Sequence, residues 1–422
     1  MNAQGCGPVG DGTNGTLHCL YTDTVHDHLY CGGAFTGSGG DPFNHVCWWN
    51  DTTFNPMGSG TNGDVFCAAH FNGNLCVGGS FSQAGGSSCM NVAYWDGSTW
   101  QPMGPGFNGA VNCMVEHNGN LYCGGEFTLC GTTPMQHVAM WNGSAWAPVG
   151  GGCDEAVYAM LVHDGALYMG GHFEQCGGIT CNGICWWDGS TYHPMGTGMS
   201  GMDHSVNTMC VYNGNLCAGG SFSNAGGTWA WNIATWNGGA WSSLGGGWSG
   251  SMGDAVHTLC EYHGLLYCGG IFGDCDGMTV NNLGVWNGST WSSIGTGFDG
   301  QVRSLAVYND VLYLGGEFTT ADGTAALNIA QYSTTTGLRP VLEMDAFGIY
   351  PVPASTTVNI SLTELQPNAV IEISTLTGSV VRTLRPNSTS FFVDVSDLVD
   401  GTYAVTVRDG KRSRTQRLPV AR

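Results

Sequence analysis

Short runs of alternating apolar and polar residues, each closed by a turn dipeptide, recur along the first three quarters of the chain. Residues 110–151 show one full cycle. Residues 111–117 form an apolar-rich run that ends at Asn118-Gly119, and residues 120–127 return from it. Asn-Gly between two such runs predicts a hairpin, because a type I′ turn needs positive φ at both central residues. A polar loop follows, then residues 137–141, a second tight turn at Asn142-Gly143, and residues 145–149. Four short strands, two tight hairpins and one longer loop predict a single blade of a β-propeller.

The cycle repeats. Gly-Gly-x-Phe begins at Gly32, Gly78, Gly124, Gly170, Gly219, Gly269 and Gly315, at steps of 46, 46, 46, 49, 50 and 46 residues. A period in this range marks a repeat architecture. The second hairpin recurs as Trp95-Asp-Gly-Ser-Thr-Trp100, Trp141-Asn-Gly-Ser-Ala-Trp146, Trp187-Asp-Gly-Ser-Thr-Tyr192, Trp236-Asn-Gly-Gly-Ala-Trp241 and Trp286-Asn-Gly-Ser-Thr-Trp291. Aromatics at one position in every repeat read as packing between blades rather than as sugar platforms. The paired glycines read as places where backbone approaches closely. The seventh copy stops after residues 328–332, while Gly7-Pro8-Val9-Gly10 resembles a fourth strand such as Ala147-Pro148-Val149-Gly150. The N-terminal segment is therefore expected to complete the last blade and remove an open sheet edge. The prediction is an all-β chain: a seven-bladed propeller over 1–338, then a small immunoglobulin-like β-sandwich over 339–422.

Alternating runs at 358–362, 370–375, 380–384, 391–395, 403–407 and 415–420 predict that sandwich. Ile349-Tyr350-Pro351-Val352-Pro353-Ala354 resembles the Tyr-Pro-Asn-Pro-Ala opening of type A C-terminal sorting domains of the type IX secretion system, with Val352 where Asn is usual. Val380-Val381 after Thr377-Gly378-Ser379, Asp394-Val395-Ser396-Asp397-Leu398 and Gly401-Thr402-Tyr403 continue the pattern in order. The resemblance covers roughly 345–420. It implies export across an outer membrane to the cell surface or beyond, with the secretion machinery as a partner. The repeats also resemble kelch-like propellers. The opening Met-Asn-Ala-Gln-Gly is read as the tail of a removed leader.

Charge divides between the two parts. Residues 1–338 hold 23 acidic residues and one basic, Arg303, for a net of −22; the remainder holds 8 acidic and 9 basic, for +1, giving the total of −21. Such a propeller repels phosphates and anionic lipid, so nucleic acid and membrane insertion are excluded as expectations. The 19 cysteines include no paired Cys-x-x-Cys motif, and no metal or cofactor is expected. Many align with Ala, Ser or Thr in other repeats and read as small packing residues. Cys210 and Cys217 face each other outward from Asn213-Gly214 and are the first disulfide candidate; Cys176 and Cys181, in one loop, are the second. His70, His117 and His163 recur near the end of the first strand, which reads as structural. Asp274-Cys275-Asp276-Gly277 echoes a calcium loop without its remaining ligands. No catalytic motif is found.

Both insertions that lengthen the period, at 198–205 and 246–255, are links between blades on the face opposite the tight turns. With the intervening loop they carry Met199, Met202, Trp229, Trp248 and Met252. Apolar residues inserted on a variable face predict a docking patch. Three functions compete: a non-enzymatic surface module binding a glycan or protein, a self-associating subunit of an extracellular filament or layer, and a polysaccharide-active enzyme. The last needs carboxylates clustered at the mouth of the variable face.

Overall fold

The computed structural model describes residues 5–24, 26–201, 203–247, 254–333, 348–350, 356–361, 370–375, 380–386, 388, 390–399, 401–409 and 412–420. The chain divides into two compact units, 1–336 and 337–422.

The first unit is a β-propeller. Seven four-stranded antiparallel sheets follow one another among the described residues. In the third, Val111–His117, Asn120–Gly125, Val138–Trp141 and Trp146–Pro148 pair in sequence order. The first strands of successive sheets touch: Leu17–Asp23 lies against Asp64–Phe71, and so on round to Gln301–Tyr308, which lies against Leu17–Asp23 again. These first strands therefore surround the axis. Gly5–Pro8 is the outermost strand of the seventh sheet, pairing Gly5 with Ser333 and Pro8 with Ala330. The two ends of the repeat array are thus held in one sheet.

The paired glycines set how closely the sheets pack. A Cβ on the first glycine would lie 2.5–2.6 Å from Cγ1 of a valine on the next sheet: Gly32 against Val65, Gly78 against Val111, Gly124 against Val157, Gly170 against Val206 and Gly269 against Val302. Gly219 stands in the same way against Val256, and Gly315 closes the circle against Leu17. A Cβ on the second glycine would strike the backbone carbonyl just before or at the start of its own sheet's first strand, as Gly125 would strike Ala110. There each first strand carries a β-bulge, between Val111 and Cys113 in the third sheet, which raises local twist. The phenylalanine two residues further on is buried in every copy, with Phe35, Phe127, Phe173 and Phe222 fully enclosed.

The core is a series of clusters shared by neighbouring sheets. Cys67, Ala69 and Phe71 pack with Val111, Leu121 and Phe127, while Leu17, Leu29 and Trp49 pack with Tyr308, Tyr313 and Ile329 across the closure. The repeated outer aromatics tie sheets together: Nε1 of Trp100, Trp146, Trp241 and Trp291 donates to the carbonyls of Met57, Met103, Met195 and Leu244, and Tyr192 Oη donates to Val149. Each loop between second and third strands is a minute hairpin, such as Leu129–Cys130 with Thr133–Pro134. A side chain before the first strand anchors it: Asn14, Asn62, Asn108, Asp154 and Asp299 each accept two successive backbone N–H groups there. Asp276-Gly277 is the turn of one such hairpin, with Cys275 buried, so the calcium-like motif is a repeat turn.

In the second unit, a sheet of Gly348–Tyr350, Thr357–Ser361 and Ser390–Asp394 shares one core with a sheet of Val380–Leu384, Val370–Thr375, Gly401–Asp409 and Arg412–Val420. Val358, Ile360 and Val393 from one sheet meet Ile371, Ile373, Val405 and Val407 from the other.

Gly124→Ala should lower stability by about 1–3 kcal/mol, because the added methyl overpacks against Val157 and Cys113. Val157→Ala in that background should return part of the loss. Additive losses in chemical denaturation would contradict this account of the glycines.

Candidate functional site

Exposed apolar groups of the variable face include one in each of three consecutive sheets, besides Met90 and Leu327 in the second and seventh. Thr228–Trp229 pairs with Asn224–Ala225, which pairs with Met199–Ser200, a three-stranded platform over the fifth sheet. Alternation along this segment puts Trp229 outward at 58% exposure while Ala230 and Asn232 are buried. Its indole meets that of Trp231 edge-on, centroids 4.9 Å apart. The corresponding hairpins of the fourth and sixth sheets expose Ile179 and Met278.

The predicted docking patch is thus redrawn. Met199 is buried in the core with Phe222 and Trp241. It fills the place that Thr61, Phe107, Cys153 and Phe298 take in other repeats, each bridging the hairpin of its own sheet. The insertion therefore adds residues after a repeat position, and Met199 is that position. Met202, Trp248 and Met252 lie outside the described residues. Ile179 and Met278 carried no signal in the sequence, because they sit in loops of ordinary length.

The axis supplies a second polar region. The bulged residue of each innermost strand is His18, Phe66, Asn112, Tyr158, Asn207, His257 or Arg303. The bulge falls near the start of each strand, so this ring lies toward the variable face. Neighbours touch: the rings of His18 and Phe66 are 5.3 Å apart, and Asp64 lies 4.0 Å from His18 and 3.4 Å from His45. His172 stacks on His204 at 5.0 Å and lies 3.6 Å from Asp203. Arg303, the propeller's one Lys or Arg, stands 3.8 Å from Glu317. Burial, and then Arg303, hold the His257 imidazole down to about 4. Burial, and then Glu126, Asp203 and Glu155, push the Tyr158 phenol up.

The cysteines depart from expectation at one pair. Cys176 bonds to Cys153, not to Cys181. The two stand opposite each other where the link before the fourth sheet crosses that sheet's hairpin. Cys181 instead shares a hydrogen bond with Cys185. Aligning the repeats would have shown the pair: Cys153 matches Thr61 and Phe107, and Cys176 matches Ala84 and Cys130, so only the fourth repeat has cysteine at both places. Cys210 and Cys217 are opposite each other, as their turn requires, but stay thiols joined by a hydrogen bond. Burial pushes the Cys19 and Cys113 thiols up to about 12, which fits small packing residues.

In the second unit the motif residues build one corner. Asp394 accepts the Ser396 N–H, Arg382 grips Asp397 with two contacts of 2.6 and 2.7 Å, and Leu398 enters the core. Gly401 opens the next strand, and Tyr403 Oη donates to the Val399 carbonyl. Tyr350 is placed by its backbone in Gly348–Tyr350, paired with Asn359. Pro351, Pro353 and Ala354 lie outside the described residues. Phe392, Val399, Val380 and Val381 are exposed.

Residues 348–421 match the family described as the secretion system C-terminal sorting domain. The molecule is thus a β-propeller joined to a type IX sorting domain, a class of cargo exported to the cell surface or extracellular space. No helix among the described residues is long and apolar enough to cross a membrane. In fold it is similar to the extracellular domain assigned to a hybrid two-component system, BT4673, of B. thetaiotaomicron, with TM-score 0.50 and 13% identity, covering 100% of this chain and 59% of that one. PorZ, an essential bacterial surface component of the type IX secretion system of Porphyromonas gingivalis, matches at TM-score 0.47 and 16% identity over 100% of this chain and 61% of its own. BamB from Moraxella catarrhalis matches at TM-score 0.35 and 10% identity, covering 76% of this chain and 95% of that one. The chain spans about three fifths of the length of the first two. No curated protein matches it.

Two outcomes follow. An unfolded chain protonates His257 near pH 6.5 and the native one only near 4, so stability on this account is full above 6.5 and lost as pH falls toward 4. The loss is about 3 kcal/mol, and His257→Gln should flatten the slope of stability against pH over that interval. Peptide mapping after thiol blocking should recover Cys153 linked to Cys176, and Cys153→Ala should cost about 3 kcal/mol through the 23-residue separation it spans. A Cys176–Cys181 peptide would contradict the arrangement.

Proposed function

We propose that the exported propeller is a non-enzymatic adhesion module that binds a neutral glycan on its variable face. Trp229 carries the reading. The repeated outer aromatics spend their polar atoms on inter-sheet bonds, whereas Trp229 offers an open indole face, steadied by Trp231. An exposed indole buries sugar C–H faces at low entropic cost, and nearby Asn224 and Thr228 supply amide and hydroxyl groups for hydrogen bonding. The net charge of −22 over 1–338 disfavours anionic polymers and leaves neutral ones. The recurrent paired glycines and Trp hairpins support the kelch-like kinship as part of the same proposal.

A second reading, self-association into a filament or layer, has its own support. Ile179, Trp229 and Met278 present apolar surface from three neighbouring sheets. The secretion machinery is the partner implied by the sorting domain, and its exposed Phe392 and Val399 offer apolar contact.

The full-length protein should bind polymers on a neutral-glycan array without shortening them. Trp229→Ala should weaken that binding by roughly tenfold, about 1.4 kcal/mol, with an unchanged thermal transition. Equal binding by the variant would remove the indole from the site. Shortened polymer would make the protein an enzyme. Concentration-dependent polymers that Trp229→Ala abolishes, seen by light scattering without glycan binding, would favour self-association.

A further inference from the structure

The face of tight turns is broken in one place. In six sheets two residues join the first and second strands, as Asn72-Gly73 does between Phe71 and Asn74. In the first sheet the last pair is Asp23 with His28, and four residues, 24–27, intervene. The turns on this face are thus not uniform, and the longer one carries His26.

That turn meets a histidine of the neighbouring sheet. Asp23 is almost wholly buried. Its Oδ2 lies 2.7 Å from His26 Nδ1 and 3.1 Å from His70 Nε2, and its Oδ1 accepts the His26 N–H at 3.3 Å. The three donor atoms lie within 4.8 Å of one another. His70 is not the structural repeat residue that its likeness to His117 and His163 suggests. It pairs with Leu75, one place before the end of its hairpin, whereas His117 pairs with Asn120 at the end. One residue of offset turns a side chain to the other face of its sheet. His70 Nε2 is fully enclosed and has no hydrogen bond of acceptable geometry, although the Asp23 oxygen is 3.1 Å away. Its ring is 5.3 Å from that of His26. The Tyr21 hydroxyl accepts the His70 backbone N–H at 3.0 Å, fixing the strand.

The geometry points to a divalent transition-metal site, of the zinc class, made by Asp23, His26 and His70. A tetrahedral zinc ion bound at about 2.0–2.1 Å needs ligand atoms about 3.3 Å apart; Asp23 Oδ2 already stands 3.1 Å from His70 Nε2, and its 2.7 Å contact with His26 Nδ1 would have to open to admit the ion. The enclosed His70 nitrogen makes no hydrogen bond of its own and stands beside the Asp23 oxygen, where a shared metal ion would give it a partner. A dication also offsets a buried carboxylate, which is otherwise costly. Two imidazoles and one carboxylate select zinc, copper or nickel over calcium or magnesium. Three protein ligands leave a fourth position for water or an incoming group. His26 is half-exposed, so the cluster is reached from the solvent side of the turn.

The test uses chelator-treated full-length protein, freed of chelator, with Zn²⁺ followed by calorimetry in a phosphine reductant. One zinc per chain is expected, and none of Ca²⁺ at equal concentration. His26→Gln and His70→Ala should each weaken it at least about tenfold, a loss that even residues behind the ligands can cause, while His117→Ala leaves it unchanged. Because 17 cysteines are thiols, Co²⁺ provides the discriminating spectrum. Weak visible bands without intense thiolate-to-metal absorption assign nitrogen and oxygen ligands. His26→Gln lies in a half-exposed turn and keeps the test meaningful should His70→Ala fold poorly. No zinc uptake by the wild type, equal uptake by His26→Gln, or a thiolate-type cobalt spectrum each overturns the site and leaves Asp23 as the centre of a hydrogen-bonded cluster.

Discussion

The closest constraint in the propeller is the seating of a branched side chain on a glycine of the preceding sheet. Six valines and Leu17 occupy space that any Cβ would claim. The next glycine lets the second strand press on the bulged start of the first. Packing this tight is what turns repeats that cannot bury a face alone into one continuous core. Leu17, one methylene larger than valine, takes the closing contact, so the seat accepts a different branched apolar side chain where the ring closes.

That constraint fixes the innermost strands and leaves their ends free to differ. The bulge beside each second glycine sets one residue per sheet into the ring around the axis, so His18, Tyr158, His257 and Arg303 inherit a common position from packing. Further out, an anchoring Asn or Asp before the first strand holds the loop hairpin by its backbone in five sheets, at Asn14, Asn62, Asn108, Asp154 and Asp299. Side chains at the hairpin tips are then released from structural duty. Ile179, Trp229 and Met278 vary there without cost to the core.

Repetition made the propeller legible in the sequence, because every glycine, turn and aromatic was seen several times. The Asn-Gly turns between first and second strands adopt positive φ at both positions, as at Asn118 and Gly119, whereas the second hairpin closes through four residues with positive φ at the glycine alone, as at Gly143. The repeated Trp residues brace sheets, which is the reading that recurrence favours. What escaped were features that occur once. The Cys153–Cys176 bond needed the link to be aligned with the hairpin 23 residues on, whereas sequence proximity suggested Cys181. Met199 was taken for inserted surface because insertion length says how many residues were added, not which of them keep the repeat position. His70 was grouped with His117 because a one-residue offset is small in sequence and complete in a sheet.

The same asymmetry bears on where function resides in a repeat protein. A residue present in every copy answers to packing that every copy shares. Chemistry specific to one place must break the repeat. Here the breaks are few: four residues in the first turn where two suffice, a tryptophan turned outward where other hairpin tips are smaller, and cysteine at both ends of one bridge. The first of these brings a buried carboxylate and an enclosed imidazole nitrogen into contact across two sheets. Neither group contributes to the glycine-on-valine seating that stabilises the ring. Both carry desolvation costs that apolar residues of similar size would avoid. Their presence beside a largely apolar core therefore argues for a use beyond folding.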